Sequence, residues 1–178
     1  MQSSVNTYNR VARVLHALTG LALIVQLGFG VLLDDLAPRG TPGRAGWINL
    51  HKSVGLLLLL LVLLRLLWRL RHRPPAWPPN MSAVQQRAAG WGHAALYAAM
   101  LVLPASGYVA SNFSKHGLKF FGLPLPPWGT NLPLLYGALS TLHKMSALAL
   151  TVLILGHVAM ALKHQFMDCD DLMRRIKF

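Results

Sequence analysis

The sequence contains no glutamate, only five aspartates and a single cysteine in 178 residues. None of the aspartates (34, 35, 168, 170 and 171) falls within a long apolar run. Buried paired carboxylates are therefore excluded, whether as a carboxylate proton relay or as a di-iron carboxylate centre. The lone Cys169 permits no disulfide framework, no C-x-x-C pair and no C-x-x-C-H attachment motif, and it is expected to have no role. Charge is scarce too: 12% of residues are charged, against about 25% in soluble domains, so a soluble globule is not expected. The 17 Lys and Arg leave a net charge of +12. They sit at the ends of apolar runs rather than on a face interleaved with aromatics, so they indicate a membrane and not a nucleic acid.

Four apolar stretches are long enough to cross a bilayer, each near or above about 20 residues. They cover about 11–33, 47–70, 88–110 and 134–162, the third interrupted by Pro104. Backbone polar groups must be satisfied inside lipid, which favours helices. The expectation is an all-α transmembrane four-helix bundle, a single membrane domain over 1–178. The Pro/Gly-rich segments LAPRGTPGRAG, RPPAWPPN and FGLPLPPWGTNLP separate the spans, and the last is long enough to cover one mouth of the bundle. The first run is too long for a signal-peptide core and is read as an uncleaved span. Of the basic residues, eleven lie on the side of both termini and six on the other (Arg39, Arg44, Lys52, Lys115, Lys119, Lys144). The positive-inside rule then puts both termini in the cytoplasm.

Histidine supplies the chemistry that carboxylate and cysteine do not. There are eight, and ionisable groups inside a membrane tend to mark function. His143 and His157 lie 14 residues apart on the fourth span, about 21 Å along a helix and within about 40° of the same direction. His51, just inside the start of the second span, matches His143 in depth. His16, six residues after Arg10, matches His157. Two neutral imidazoles per iron make a low-spin haem b site, so two b haems are expected, one per leaflet. His93 lies at the same depth as His16 and His157, and depth does not choose among the three. Arg65, 14 residues after His51, faces the inner site, where a buried guanidinium needs an anion or carbonyl such as a haem propionate or a quinone. Gly20, Gly55 and Ala147 lie one turn from His16, His51 and His143 and leave room for a flat macrocycle, although ordinary small-residue helix packing gives the same pattern. His72, His116 and His164 fall at helix ends or in loops.

These residues together resemble the bacterial cytochrome b561 family of small four-helix di-haem inner-membrane proteins. The resemblance covers nearly the whole chain. It rests on RVARVLH at 10–16, LHKSVG at 50–55, RLLWRL at 65–70, LPASGY at 103–108 and the His143–His157 spacing. It implies that His16 and His157 are axial ligands of a cytoplasmic haem and His51 and His143 those of a periplasmic one, leaving His93 without an axial role. Members pass electrons between a quinone pool and a second partner, and some oxidise superoxide and reduce ubiquinone. Lys52 and Lys144, each following an outer ligand, are a departure from some relatives.

The expected function is therefore electron transfer between a periplasmic one-electron donor, with superoxide a candidate, and ubiquinone, as in a superoxide:ubiquinone oxidoreductase. Six basic residues against Asp34 and Asp35 leave the outer face at 6 − 2 = +4, a field that steers anions. Lys52 and Lys144 lie at a depth to line that entry or meet haem propionates. The quinone is expected near Arg65, Trp68, Lys163 and His164. Two alternatives stand: a b-type subunit relaying quinol electrons to a periplasmic redox protein, and a His-lined metal transporter without haem.

Overall fold

Asn9 starts the first helix by accepting a hydrogen bond at its side-chain oxygen from the Ala12 amide, 2.8 Å away. In the computed structural model, which describes residues 7–78, 81–168 and 172–177, this helix is α1, Arg10–Val31. Cys169 lies outside the described residues. A one-turn helix α2 (Leu33–Leu36) carries Asp34, whose carboxylate pairs with Arg44 at 2.6 Å. Arg44 also donates to the Ala37 carbonyl and opens α3, Arg44–Arg71. A capping box starts α4 (Ala83–Asn112): Ser82 accepts from the Gln85 amide while Gln85 accepts from the Ser82 amide. Pro133 at the first turn opens α5, Pro133–Phe166. All four long helices are long and apolar enough to span a membrane.

α4 runs unbroken through Pro104, where an interruption was expected. Proline removes one donor, but neighbouring helices and local adjustment make this tolerable in a membrane helix. The segment after α4 is not plain loop either. Leu118–Phe120 (β1) pairs antiparallel with Leu123–Leu125 (β2). Phe121 and Gly122, with φ of 46° and 93°, make the two-residue turn, whose twist requires positive φ at both positions. The hairpin is tied to α3. Ser53 Oγ accepts from the Phe121 amide at 2.8 Å, and Lys52 Nζ donates to the Gly117 carbonyl at 2.9 Å.

Packing is uneven around the bundle. α1 lies along α3, α3 along α4 and α4 along α5. Among the described residues neither α1 nor α3 packs comparably closely on α5. The helices therefore enclose clefts beside α5, with an apolar core between them that includes Leu23, Leu58, Val62, Met100, Leu103 and Leu150. At the end bearing both termini, a 3-10 turn at Met173–Arg175 closes over the bundle. There Arg175 donates to the Ala76 carbonyl at 2.6 Å, and the Tyr8 amide donates to the Arg175 carbonyl at 3.0 Å.

Candidate haem sites

Each long helix carries a stripe of period seven, and the stripes align in three layers. The middle layer is Leu23, Leu58, Met100 and Leu150, all buried. Seven residues toward the hairpin end lie Gly30, His51, Gly107 and His143. Seven toward the terminal end lie His16, Arg65, His93 and His157.

In the hairpin-end layer the rings of His51 and His143 are 6.2 Å apart, centre to centre, with their planes at 87°. Both are half-buried. The two glycines receive them. A β-carbon on Gly107 would stand 2.8 Å from His143 Nδ1, and one on Gly30 would stand 3.1 Å from His51 Cε1. His143 Nδ1 donates to the Leu103 carbonyl at 2.8 Å, which leaves its lone pair at Nε2. Gln26 Nε2 lies 2.7 Å from the His51 carbonyl and 3.1 Å from its Nδ1.

In the terminal-end layer the rings of His16 and His157 are also 6.2 Å apart, at 59°. His93 is 5.6 Å from His157, at 70°, so the structure brings all three imidazoles of this depth together. Their Nδ1 partners differ. His93 Nδ1 donates to the Ala89 carbonyl at 2.7 Å. His16 Nδ1 accepts from Arg65 Nη2 at 2.7 Å, because a guanidinium only donates. Arg65 and Arg69 also flank the Tyr97 ring, 5.3 and 5.5 Å from its centre.

This layer opens into a cavity of about 1120 Å³, whose lining includes His16, Arg65, Trp68, His93, His157, Lys163 and His164. The proposed quinone residues thus share one chamber with the inner histidines. Trp68 donates to Asn9 at 3.1 Å and stacks on His72 at 3.9 Å. Lys163 and His164 are both held by Asp168, at 2.6 and 3.2 Å, and Lys163 keeps the Asp168 carboxyl below the usual range. At the other end Lys144 is exposed, whereas Lys52 is committed to the Gly117 carbonyl.

Imidazole–metal bonds of about 2.0–2.1 Å put two rings on opposite sides of one metal roughly 6 Å apart, a separation that His51–His143, His16–His157 and His93–His157 all come near. Among the described residues no three His, Cys, Asp or Glu side chains converge to hold a bare ion. Facing pairs of this kind suit a chelate that brings its own equatorial ligands. The sequence profile of prokaryotic cytochrome b561 matches residues 7–178. The chain belongs to the prokaryotic cytochrome b561 family. It is 30% identical to cytochrome b561 homolog 2 of Escherichia coli (strain K12) over 174 residues, covering 95% of this chain and 90% of that protein. It is 25% identical to cytochrome b561 homolog 1 of the same organism over 172 residues, covering 96% and 97%. As a b561 family member it is an integral inner-membrane protein that binds b-type haem and serves membrane electron transfer.

Geometry adds residues that the sequence reading missed. Gln26, Gly30 and Tyr97 are not among the expected site residues, Arg69 figures there only as a basic residue within RLLWRL, and Gly107 only as a letter in LPASGY. The period of seven, 16–23–30 on α1 and 93–100–107 on α4, is the signal that points to the two glycines. The glycines expected beside the ligands stand differently: a β-carbon on Gly20 would meet no neighbouring group within 4 Å, and one on Gly55 would stand 3.8 Å from Gln26 Nε2.

Proposed function

We propose that residues 1–178 form one di-haem domain that carries electrons between a periplasmic one-electron donor and the ubiquinone pool, with both termini cytoplasmic. The observation that carries this reading is the pair of His–His separations of 6.2 Å, one in each outer layer. His51 and His143 hold the periplasmic haem and His16 and His157 the cytoplasmic one. Each b haem supplies an iron that takes up and releases one electron.

The residues divide the remaining work. Arg65, 2.7 Å from His16 Nδ1, would supply the cation for a propionate or quinone oxygen beside the inner haem. The apolar middle layer excludes water between the sites. Lys144 and the basic outer face draw in an anionic donor, while Lys52 fixes the hairpin beside His51. Two superoxide ions give up one electron each and leave as dioxygen. Ubiquinone accepts two electrons and two protons beside Trp68, Lys163 and His164. His164 Nδ1, 3.2 Å from Asp168 Oδ2, is placed to hand on those protons.

A reduced-minus-oxidised spectrum with haem quantitation tests the assignment. Alanine at His51 or His143 should remove one haem, and alanine at His16 or His157 the other. Haem loss in His93→Ala with retention in His16→Ala would overturn the inner assignment. Rapid mixing with superoxide should reduce haem faster than superoxide dismutes. The second reading, a subunit serving a periplasmic redox protein, predicts no such reduction and co-purification of a cofactor-bearing partner.

A further inference from the structure

The LPASGY segment of α4 touches the hairpin-end site from outside the ligand pair. Leu103 O accepts from His143 Nδ1 at 2.8 Å and from Ser106 Oγ at 2.8 Å. Leu103 and Ser106 are both buried, so neither bond competes with water. The accepting carbonyl belongs to the Leu103–Pro104 bond, a tertiary amide, and such a carbonyl is a stronger acceptor than an ordinary peptide. Gly107, one turn on, stands where any β-carbon would be 2.8 Å from Nδ1 and 2.9 Å from Cε1 of the same imidazole. No flexible side-chain end could yield there, because the atoms met are the ring itself.

We propose that the Leu103 carbonyl, Ser106 and Gly107 form a seat that sets the tautomer and ring angle of His143 and thereby tunes the potential of the group it holds. The proposal rests on the reading that His51 and His143 hold a haem. A carbonyl acceptor fixes the proton on Nδ1 and makes Nε2 a stronger donor to iron. A stronger donor favours the ferric state and lowers the potential. Ser106 shares the carbonyl and so weakens that push, while Gly107 lets the ring reach it. Gly107 also holds the plane of His143 near perpendicular to that of His51, at 87°. Perpendicular axial imidazoles give the large-g form of the low-spin ferric signal.

The test uses the full-length haem-loaded protein, with His143→Ala identifying the haem concerned. Gly107→Ala should push the ring off the carbonyl. The ferric-to-ferrous ratio at fixed potential should fall by about tenfold, a rise of about 59 mV for one electron, and the ferric signal should move toward the rhombic form. Ser106→Ala should shift the same haem the other way, by a smaller factor, with the signal type kept. The second haem should not move in either variant. If Gly107→Ala loses the haem altogether, the sign of the Ser106→Ala shift decides. Retention of both haems in His143→Ala overturns the ligand reading. Loss of one haem there, with potentials and signal unchanged in Gly107→Ala and Ser106→Ala, overturns the seat alone, as does a rise in Ser106→Ala.

Discussion

Replacing Arg65 by glutamine should change stability in opposite directions with and without haem. Among the described residues the half-buried Arg65 guanidinium has two partners, the His16 ring at 2.7 Å and the Tyr97 ring at 5.3 Å. Neither neutralises it. The carboxylates that make ion pairs among the described residues are spent elsewhere, Asp34 on Arg44 and Asp168 on Lys163 and His164. A cation–π contact returns about 0.5–2 kcal/mol, whereas an uncompensated buried charge costs several kcal/mol. Arg65→Gln should therefore stabilise the haem-free protein by about 1–3 kcal/mol. If Arg65 meets a haem propionate as proposed, the same change in the loaded protein removes a charge-assisted hydrogen bond worth about 1.5–3 kcal/mol. Affinity for the inner haem should then fall by about 10–100-fold. Thermal unfolding of the haem-free variant and haem titration in the same detergent measure the two halves. A less stable haem-free variant with unchanged haem affinity would refute the reasoning. Unchanged haem affinity with a raised KM for quinone would instead assign Arg65 to the quinone oxygen.

Leu150 is fully buried between His143 and His157. Leu150→Ala should lower the stability of the loaded protein by about 2–5 kcal/mol through the cavity it leaves, and an unchanged melting temperature would mean that the middle layer is not packed. Ser53 Oγ accepts from the Phe121 amide at 2.8 Å while its hydroxyl donates within α3 to the Asn49 carbonyl at 2.8 Å, so Ser53→Ala should speed proteolysis of the segment between α4 and α5, with haem content kept; protection equal to wild type would count against this clamp. The Arg44 guanidinium holds the exposed Asp34 carboxyl below its ordinary range. A lowered folded pKa means that the stability this pair adds is present above the unfolded carboxylate value of about 3.9 and is lost as pH falls through the folded one. Carbon-13 titration of Asp34 should show a midpoint below the ordinary value, and Arg44→Ala should restore it.

The spans were legible because hydropathy and the placement of charge report directly on the bilayer. Depth was legible for the same reason, since His16, His93 and His157 each lie six residues from a basic residue at the terminal end of their helix, Arg10, Arg87 and Lys163. What remained hidden was rotation of one helix against another. That His51 would rest on Gly30, or His143 on Gly107, depends on which faces meet, and no single helix records its neighbour's phase. Lys52 shows the same limit: its position beside an outer histidine is clear from the chain, but its bond to Gly117 needs the hairpin folded over it. The hairpin itself hid in a segment of glycine, proline and aromatics, where Gly122 is the one local mark of its turn.

The period of seven also accounts for how one helix serves two sites. In a straight α-helix seven residues fall about 20° short of two full turns, so a stripe of this period drifts around the axis. Between His143 and His157 the drift reaches about 40° over about 21 Å. A helix whose two imidazoles pointed in one direction would have to meet the same neighbour at both depths. With the drift, both imidazoles meet α4, but His143 also faces His51 on α3 whereas His157 also faces His16 on α1. Leu150 lies midway and is fully buried, so the change of partner happens within the packed layer. One more period brings the stripe to His164, which meets Asp168 at 3.2 Å. The same spacing that lines up the two imidazoles proposed as haem ligands on α5 thus delivers a third to the lining of the cavity, beside Asp168.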